Sequence, residues 1–308
     1  VDVALPSSVG VDSPAKINLF LGVGPLRADG YHELATVFQA LDMVDHVTAV
    51  ADPGTAVQLE IAPGSGRVPK GGTNLALKAA RLLKRKYKVK QGARLILSKS
   101  IPVAGGMAGG STDAAAALVA CNALWGLGLA LDELSELGAE LGSDVPFGLH
   151  GGTALGASRG EVLTPVLTTG TFVWVVATSF TSLSTPEVYA TFDRLNATRD
   201  VPAPAVPRAL LAALRRGDHE AVGTHLHNDL QAAAISMRPE LDLLLEAGID
   251  YGALGAMVSG SGPTCVFLAK DPEHAMELAV ALSGTGLCRS AKIATGPVPG
   301  ARITRAQD

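Results

Sequence analysis

The sequence predicts a fold that mixes helices and strands, and three observations carry that expectation. In residues 13–24, Ile17, Leu19 and Leu21 fall on one face while Asn18, Phe20 and Gly22 fall on the other, the period of a strand with one buried side. In residues 73–83, Leu75, Ala79, Leu82 and Leu83 recur at helical spacing, which predicts a helix with one inner side. Near residue 167 the texture changes, and a second set of strands and short helices begins with the apolar run 172–177. At 308 residues the chain can build two domains with cores of their own, or one large one.

Composition narrows the class. The chain is 47% hydrophobic and 18% charged, with few aromatic residues, as in a globular protein. Its net charge of -4 argues against a nucleic-acid binder, whose domains are usually basic. It has no run of 18 apolar residues, and its start lacks the basic and apolar regions of a signal peptide. The three cysteines, Cys121, Cys265 and Cys288, are odd in number and far apart. They suit a reducing cytoplasm better than a disulfide framework.

The elements follow in order. Lys16 stands at the expected entrance of the first strand, where a cation could reach a cleft or simply remain in water. Asp29-Gly30 gives a hairpin signal. Tyr31 and His32 follow it, an aromatic beside an imidazole that can stack on and hydrogen-bond a planar base. Residues 38–44 and 47–51 read as two strands of the same sheet, and 93–98 as a third that leads to Lys99. The basic run 84–90 ends the helix at 73–83 and is a solvated face rather than a nucleic-acid patch.

The central stretch is 102–118. Gly105, Gly106, Gly109 and Gly110 precede Ser111, Thr112 and Asp113, and the alanines 114–117 follow. Glycines allow close backbone approach, Ser and Thr are good helix caps, and alanine is the strongest helix former. The expected object is a glycine loop that feeds the N-terminus of a helix reaching about Gly126, a place that binds phosphate. Two other phosphate loops are excluded. Ser111 stands where a Walker loop needs Lys, and Pro102 with this spacing does not supply the G-x-G-x-x-G of a dinucleotide fold.

Beyond the loop, 131–141 is an amphipathic helix, and Asp144 lies between its end and Pro146, as a positioned carboxylate or as a turn or N-cap residue. A helix over 187–195 carries Tyr189. Residues 225–231 hold two imidazoles without a third ligand, so a helix face is the better reading than a metal site. Residues 257–268 form a glycine turn entering an apolar strand, able to offer anion-binding donors or merely to make a hairpin. A helix over 273–282 and a strand near 291–295 finish the second domain.

The strand with Lys16, the central loop and the turn at 258–268, near the start, middle and end of the chain, resemble the three marks of the GHMP kinase superfamily. The turn 29–32 and the segment 142–147 narrow the resemblance to the branch that phosphorylates a cytidine diphosphate-linked methylerythritol in the non-mevalonate route to isoprenoid precursors. The resemblance spans about 13–295. It implies an α+β fold in two lobes, an ATP-binding lobe of about 1–166 and a substrate-shaping lobe of about 167–308, with the active site in the cleft between them.

It also implies roles. ATP would lie along Pro102, Val103, Ala104, Gly105, Gly106, Met107, Ala108, Gly109, Gly110, Ser111 and Thr112, with Asn74 and Lys99 flanking the adenosine. Asp144 would be the general base on the 2-hydroxyl of the acceptor, and Lys16 the cation that positions it and offsets charge. His32 would hold cytosine between Tyr31 and Tyr189, and Asn18 and Thr185 would contact the rest of the substrate. Mg²⁺ would be held chiefly by the ATP phosphates, with Ser111 or Asp113 nearby; its protein ligands stay open. The expected setting is cytoplasmic, as a monomer or weak homodimer without nucleic-acid or membrane partners. The alternatives are another GHMP kinase, of mevalonate or homoserine type, and a non-catalytic relative that binds ATP and a small molecule as a sensor.

Overall fold

The computed structural model describes residues 5–66, 68–103, 105–199 and 201–307. The first half begins with β1 (Ser8–Leu26), β2 (His32–Asp52) and β3 (Val57–Ile61), followed by α1 (Leu75–Lys86) and β4 (Gly92–Ser98). Then come α2 (Gly109–Leu124), α3 (Leu131–Leu141), α4 (Val145–His150), β5 (Thr153–Ser158) and β6 (Val162–Pro165). The second half runs β7 (Phe172–Thr178), α5 (Thr185–Leu195), α6 (Arg208–Arg216), α7 (His219–Thr224), β8 (His227–Asn228), α8 (Gln231–Met237) and α9 (Glu240–Asp250). It ends with β9 (Gly255–Val258), β10 (Cys265–Leu268), α10 (Pro272–Gly284), β11 (Ser290–Gly296) and β12 (Arg302–Gln307).

The expected α+β architecture is met. One sheet carries the order β12-β1-β2-β4-β3, with β5 and β6 continuing from β2 and β8 pairing with β1. A second, four-stranded sheet has the order β11-β7-β10-β9. β1 is buried on both faces rather than on the one expected, Asn18 and Phe20 as well as Ile17 and Leu19, and in its long antiparallel pair with β2, register shifts after Pro14, Asn18 and Val23 let it bend. The alanines of α2 pack flat on the first sheet, where Val9, Val11, Val47, Leu95 and Leu97 are fully buried. A second core lies between the small sheet and α5, α8, α9 and α10.

A third core joins the two halves. Ile17, Leu19 and Leu41 of the first sheet meet Trp174, Val176 and Leu268 of the second, with Met107 of the glycine loop among them. The buried Trp174 indole donates to Gln39 Oε1 at 2.9 Å across this junction. The glycine loop is thereby anchored where the halves meet.

Several expectations change. Residues 38–44 and 47–51 are one strand, β2. β1 runs from Ser8, so Lys16 lies inside a buried strand rather than at an entrance, and its flanks Ala15 and Ile17 are fully buried. Residues 225–231 are not a helix face. A short β8 runs parallel to β1, because Asp229 Oδ2 accepts the Val23 N–H at 2.8 Å and Asn228 turns inward. After β11 the chain returns to the first sheet, where β12 pairs antiparallel with β1.

Candidate active site

The glycine loop enters α2 without the expected Ser or Thr cap. The N-cap residue is Ala108, in the left-handed region at φ 56°, and it makes no side-chain cap bond. Thr112 instead turns into the fold, where its hydroxyl donates to the Pro14 carbonyl and accepts from Ser13 Oγ at 3.1 Å. The first N–H groups of a helix lack intrahelical partners. At α2 they sit beside Gly109, Gly110 and Ser111, which line a cleft of about 700 Å³. The helix dipole adds positive potential at the same end.

The loop is tied at its base. Asp45 Oδ1 accepts the N–H groups of Ser100 and Ile101 at 2.7 and 2.9 Å. Lys99 Nζ donates to Asp45 Oδ2, to Asp113 Oδ2 at 2.8 Å and to the Gly109 carbonyl at 3.1 Å. One buried cation thus serves two buried carboxylates, one of which keeps a proton most easily. Asp45 has two backbone donors besides Lys99, whereas Asp113 Oδ1 has no partner. Burial, opposed by Lys99 and aided by the charge of Asp45, pushes the Asp113 carboxyl up to about 8.

The other wall of the loop is the turn at 259–262. Gly106 takes φ +75° and approaches the backbone of Ser259 and Gly262 so closely that a Cβ would not fit. Ser259 Oγ donates to the Gly106 carbonyl at 3.2 Å. Asn228 holds this turn: its amide donates to the carbonyls of Val258 and Gly260, both at 2.7 Å, and its Oδ1 accepts the Leu230 N–H. The second glycine element is therefore a hairpin turn and also a wall of the cleft.

Lys16 and Asp144 face each other there. Lys16 Nζ lies 3.7 Å from Asp144 Oδ2, donates to Asn18 Oδ1 at 2.8 Å and sits 4.9 Å from the Phe38 ring centre. The Asn18 orientation follows from a relay. Thr36 donates its hydroxyl proton to the Phe20 carbonyl at 2.6 Å, so its oxygen accepts from Asn18 Nδ2 at 2.8 Å. That leaves the Asn18 carbonyl for the lysine. Asp144 occupies the N-cap position of α4 but makes no cap bond, so its carboxylate remains free for the cleft.

On the opposite side, His32 is buried and fixed by Nδ1 on the Gly24 carbonyl at 2.8 Å. Its ring stacks on Tyr189 at 5.3 Å between centres, and Nε2 lies 3.4 Å from Asp193. Burial, and after it the charge of Asp144, raises the Tyr189 phenol above its ordinary range. Tyr31 remains 53% exposed at the mouth, with the Arg159 guanidinium 4.9 Å from its ring centre. Thr185 and Ser261 share a hydrogen bond of 2.8 Å across the cleft floor.

One cleft thus gathers Lys16, Asn18, Tyr31, His32, Gly105, Gly106, Ala108, Gly109, Gly110, Ser111, Asp144, Thr185 and Tyr189. Pro102, Val103, Met107, Thr112, Asn74 and Lys99 are not among its lining residues. Asn74 caps α1 by accepting the Leu77 N–H at 3.1 Å, and Met107 is in the core. Ala104 lies outside the described residues. Sequence reasoning missed Thr36, Asn228, Arg159 and Asp193. Asn228 was visible only within the motif 225–231, and the others carried no local signal.

Comparison with known proteins fits this geometry. Residues 74–152 match the model of the GHMP kinases N terminal domain, and residues 210–286 that of the GHMP kinases C terminal. A Nocardia farcinica protein named 4-diphosphocytidyl-2-C-methyl-D-erythritol kinase is 52% identical, covering 97% of this chain and 97% of its own. The chain belongs to the GHMP kinases. A Mycobacterium tuberculosis relative of the same name is 48% identical over 97% of this chain and 94% of its own. Among solved structures, a 4-(cytidine 5'-diphospho)-2C-methyl-D-erythritol kinase is 34% identical with a TM-score of 0.74, covering 93% of this chain and 98% of its own. A homoserine kinase from Cytophaga hutchinsonii aligns with a TM-score of 0.77 at 20% identity, over 98% and 99% of the two chains. The GHMP kinase fold is thus shared across relatives of different printed names, and the fold alone does not select the substrate. No helix among the described residues is long and apolar enough to cross a membrane.

Proposed function

We propose that this GHMP kinase transfers the γ-phosphoryl group of ATP to the 2-hydroxyl of 4-diphosphocytidyl-2-C-methyl-D-erythritol, a step of non-mevalonate isoprenoid precursor synthesis. The observation that carries the proposal is the combination in one cleft of the Lys16–Asp144 pair with the His32–Tyr189 stack. The first suits phosphoryl transfer to an alcohol, and the second suits a flat heterocycle. The full-length relatives named for this substrate support it.

In this mechanism the triphosphate rests on the backbone around Gly105–Ser111, with the uncapped end of α2 supplying N–H donors and positive potential. Asp144 accepts the proton of the acceptor hydroxyl as that oxygen attacks the γ-phosphorus, and ADP leaves. Lys16, aimed by Asn18 and Thr36, holds the acceptor oxygen and Asp144 and offsets the negative charge on the moving group. Such transfer needs mainly positioning and charge stabilisation, which one base, one cation and a donor-rich cradle provide. Cytosine lies against Tyr189 and Tyr31 with a hydrogen bond to His32, and Asn18 and Thr185 contact the remainder.

Mg²⁺, when bound, would supply positive charge that offsets the charge of the phosphates. Among the described residues no group of three or more His, Cys, Asp or Glu is placed to hold a metal. Asp113 is buried against Lys99. The residues therefore suit an ion carried mainly by the nucleotide, with Ser111 beside it, as Mg²⁺ usually binds. In solution the protein is expected to act as a monomer or weak homodimer in the cytoplasm.

The test is ADP release from ATP and Mg²⁺ with 4-diphosphocytidyl-2-C-methyl-D-erythritol offered beside mevalonate, homoserine and galactose. Turnover with the cytidylyl substrate alone is expected. Turnover with another alcohol would overturn the nucleobase site, and ATP binding without turnover of any would point to a sensor.

A further inference from the structure

A network of charged groups joins the turn between β1 and β2 to the turn between β5 and β6. Arg27 Nη1 donates to Glu33 Oε2 and to Ser158 Oγ, both at 3.1 Å, and Arg27 Nη2 pairs with Asp29 at 3.0 Å. Ser158 in turn donates to Glu161 Oε1 at 3.1 Å. Glu161 Oε2 accepts the Arg159 backbone N–H at 2.8 Å, and Oε1 lies 3.5 Å from Arg159 Nε. The guanidinium so held lies over Tyr31.

Sheet register brings the two turns together, since Ser158 stands opposite Leu34 of β2. Ser158 is left-handed at φ 62°, a conformation a non-glycine residue keeps only where its surroundings fix it. That conformation sets its hydroxyl between Arg27 and Glu161. The Glu161 side chain is only 17% exposed, against 53% for Tyr31. Burial works to raise its carboxyl, but the backbone N–H groups of Glu161 and Arg159, the Ser158 hydroxyl and Arg159 outweigh that and hold it below its ordinary range. Glu161 is thus the fixed point and Tyr31 the group that needs fixing.

From this geometry we infer that Glu161 is a positioning residue for nucleobase recognition: it aims Arg159 at the Tyr31 ring, and together they hold one wall of the base site in place. The inference rests on the cytosine site proposed above. Glu161 does not line that site through chemistry of its own; it acts through Arg159. Removing its charge frees the guanidinium and lets an exposed ring move, so the base meets a wall that must be ordered on binding.

The experiment is calorimetric titration of the full-length protein with cytidine diphosphate, together with initial rates on the cytidylyl substrate. Glu161→Gln and Arg159→Gln are each expected to weaken cytidine diphosphate binding about five- to tenfold, the scale of an exposed cation–π contact and the order it imposes. The KM for the cytidylyl substrate should rise in step, with kcat and the KM for ATP within about twofold of wild type. In a Tyr31→Ala background, Glu161→Gln should weaken binding no further, which a purely structural role would not produce. If Glu161→Gln does not fold, Glu161→Asp takes its place: it keeps the charge but shortens the reach to Arg159 Nε, and the same outcomes decide. Unchanged binding in the variants overturns the inference while leaving the base site standing. Tighter binding also overturns it, since Arg159 would then occupy the place of the base. Wild-type protein that neither binds cytidine diphosphate nor turns over the cytidylyl substrate overturns the base site itself, and the inference with it.

Discussion

Gly106 is the point at which the phosphate loop depends on the second glycine turn, and Gly106→Ala should separate them. Its φ of +75° costs an L-residue about 1–2 kcal/mol. The added Cβ would land on the Ser259 carbonyl oxygen, well inside contact distance, and 3.0 Å from the Gly262 nitrogen. Both are backbone atoms of a turn that Asn228 pins with two hydrogen bonds, so they cannot rotate away as a side chain would. Moving the loop breaks the Ser259–Gly106 hydrogen bond, worth about 1 kcal/mol. Restoring the cradle around ATP would then cost about 3 kcal/mol, or roughly a hundredfold in kcat/KM for ATP. Initial rates against ATP concentration measure this, with urea unfolding alongside. Gly110→Ala is the control for folding: its backbone is helical and the nearest atom to a new Cβ is Leu75 Cδ1 at 3.7 Å. That variant should be as stable as wild type or up to about 1 kcal/mol more so. A Gly106→Ala protein that keeps kcat/KM for ATP within about fivefold would refute the interlock.

Lys99→Met should destabilise the fold by about 3–5 kcal/mol in urea unfolding, because it leaves the buried Asp45 carboxylate without its cation. A loss below about 1 kcal/mol, as an exposed surface lysine gives, would contradict the buried tie. The same cluster should make stability fall with rising pH. Asp113 goes from an ordinary 3.8 to about 8, so between those values the native protein holds a proton that the unfolded chain has released. Stability is then lost as pH rises through that window, at up to about 1.4 kcal/mol per unit. Asp113→Asn should flatten the slope between pH 5.5 and 8; parallel curves for the two proteins would exclude Asp113 as its source.

The elements whose order is set by neighbours in the chain were legible in the sequence. Alternation at Ile17, Leu19 and Leu21 marked β1, and the alanine run marked α2, because periodicity and helix propensity are local properties. What the sequence could not show was how far a strand extends once a partner covers it. Lys16 looked like an entrance residue until β2 and β12 paired with β1 on either side. Cap chemistry also misled: Ser111 and Thr112 have the right residue types, but Thr112 bonds to Pro14 in β1, and tertiary packing outbid the local motif. Lys16 and Asp144 acquired meaning only together, through the family resemblance, since nothing local links β1 to α4. The tie of Lys99 to Asp45 and Asp113 rests on how β2, the end of β4 and α2 meet, and the approach of Arg159 to Tyr31 rests on the β2–β5 register, so neither leaves a local pattern.

Replacing Asp144 with Asn keeps its shape and removes the proposed base. With 4-diphosphocytidyl-2-C-methyl-D-erythritol and ATP, single-turnover phosphoryl transfer by Asp144→Asn should be slower by about 10²–10⁴-fold. Binding of cytidine diphosphate should stay within about twofold of wild type, because the His32–Tyr189 stack is untouched. Transfer within about tenfold of wild type would contradict Asp144 as the base, and with it the chemistry assigned to the cleft.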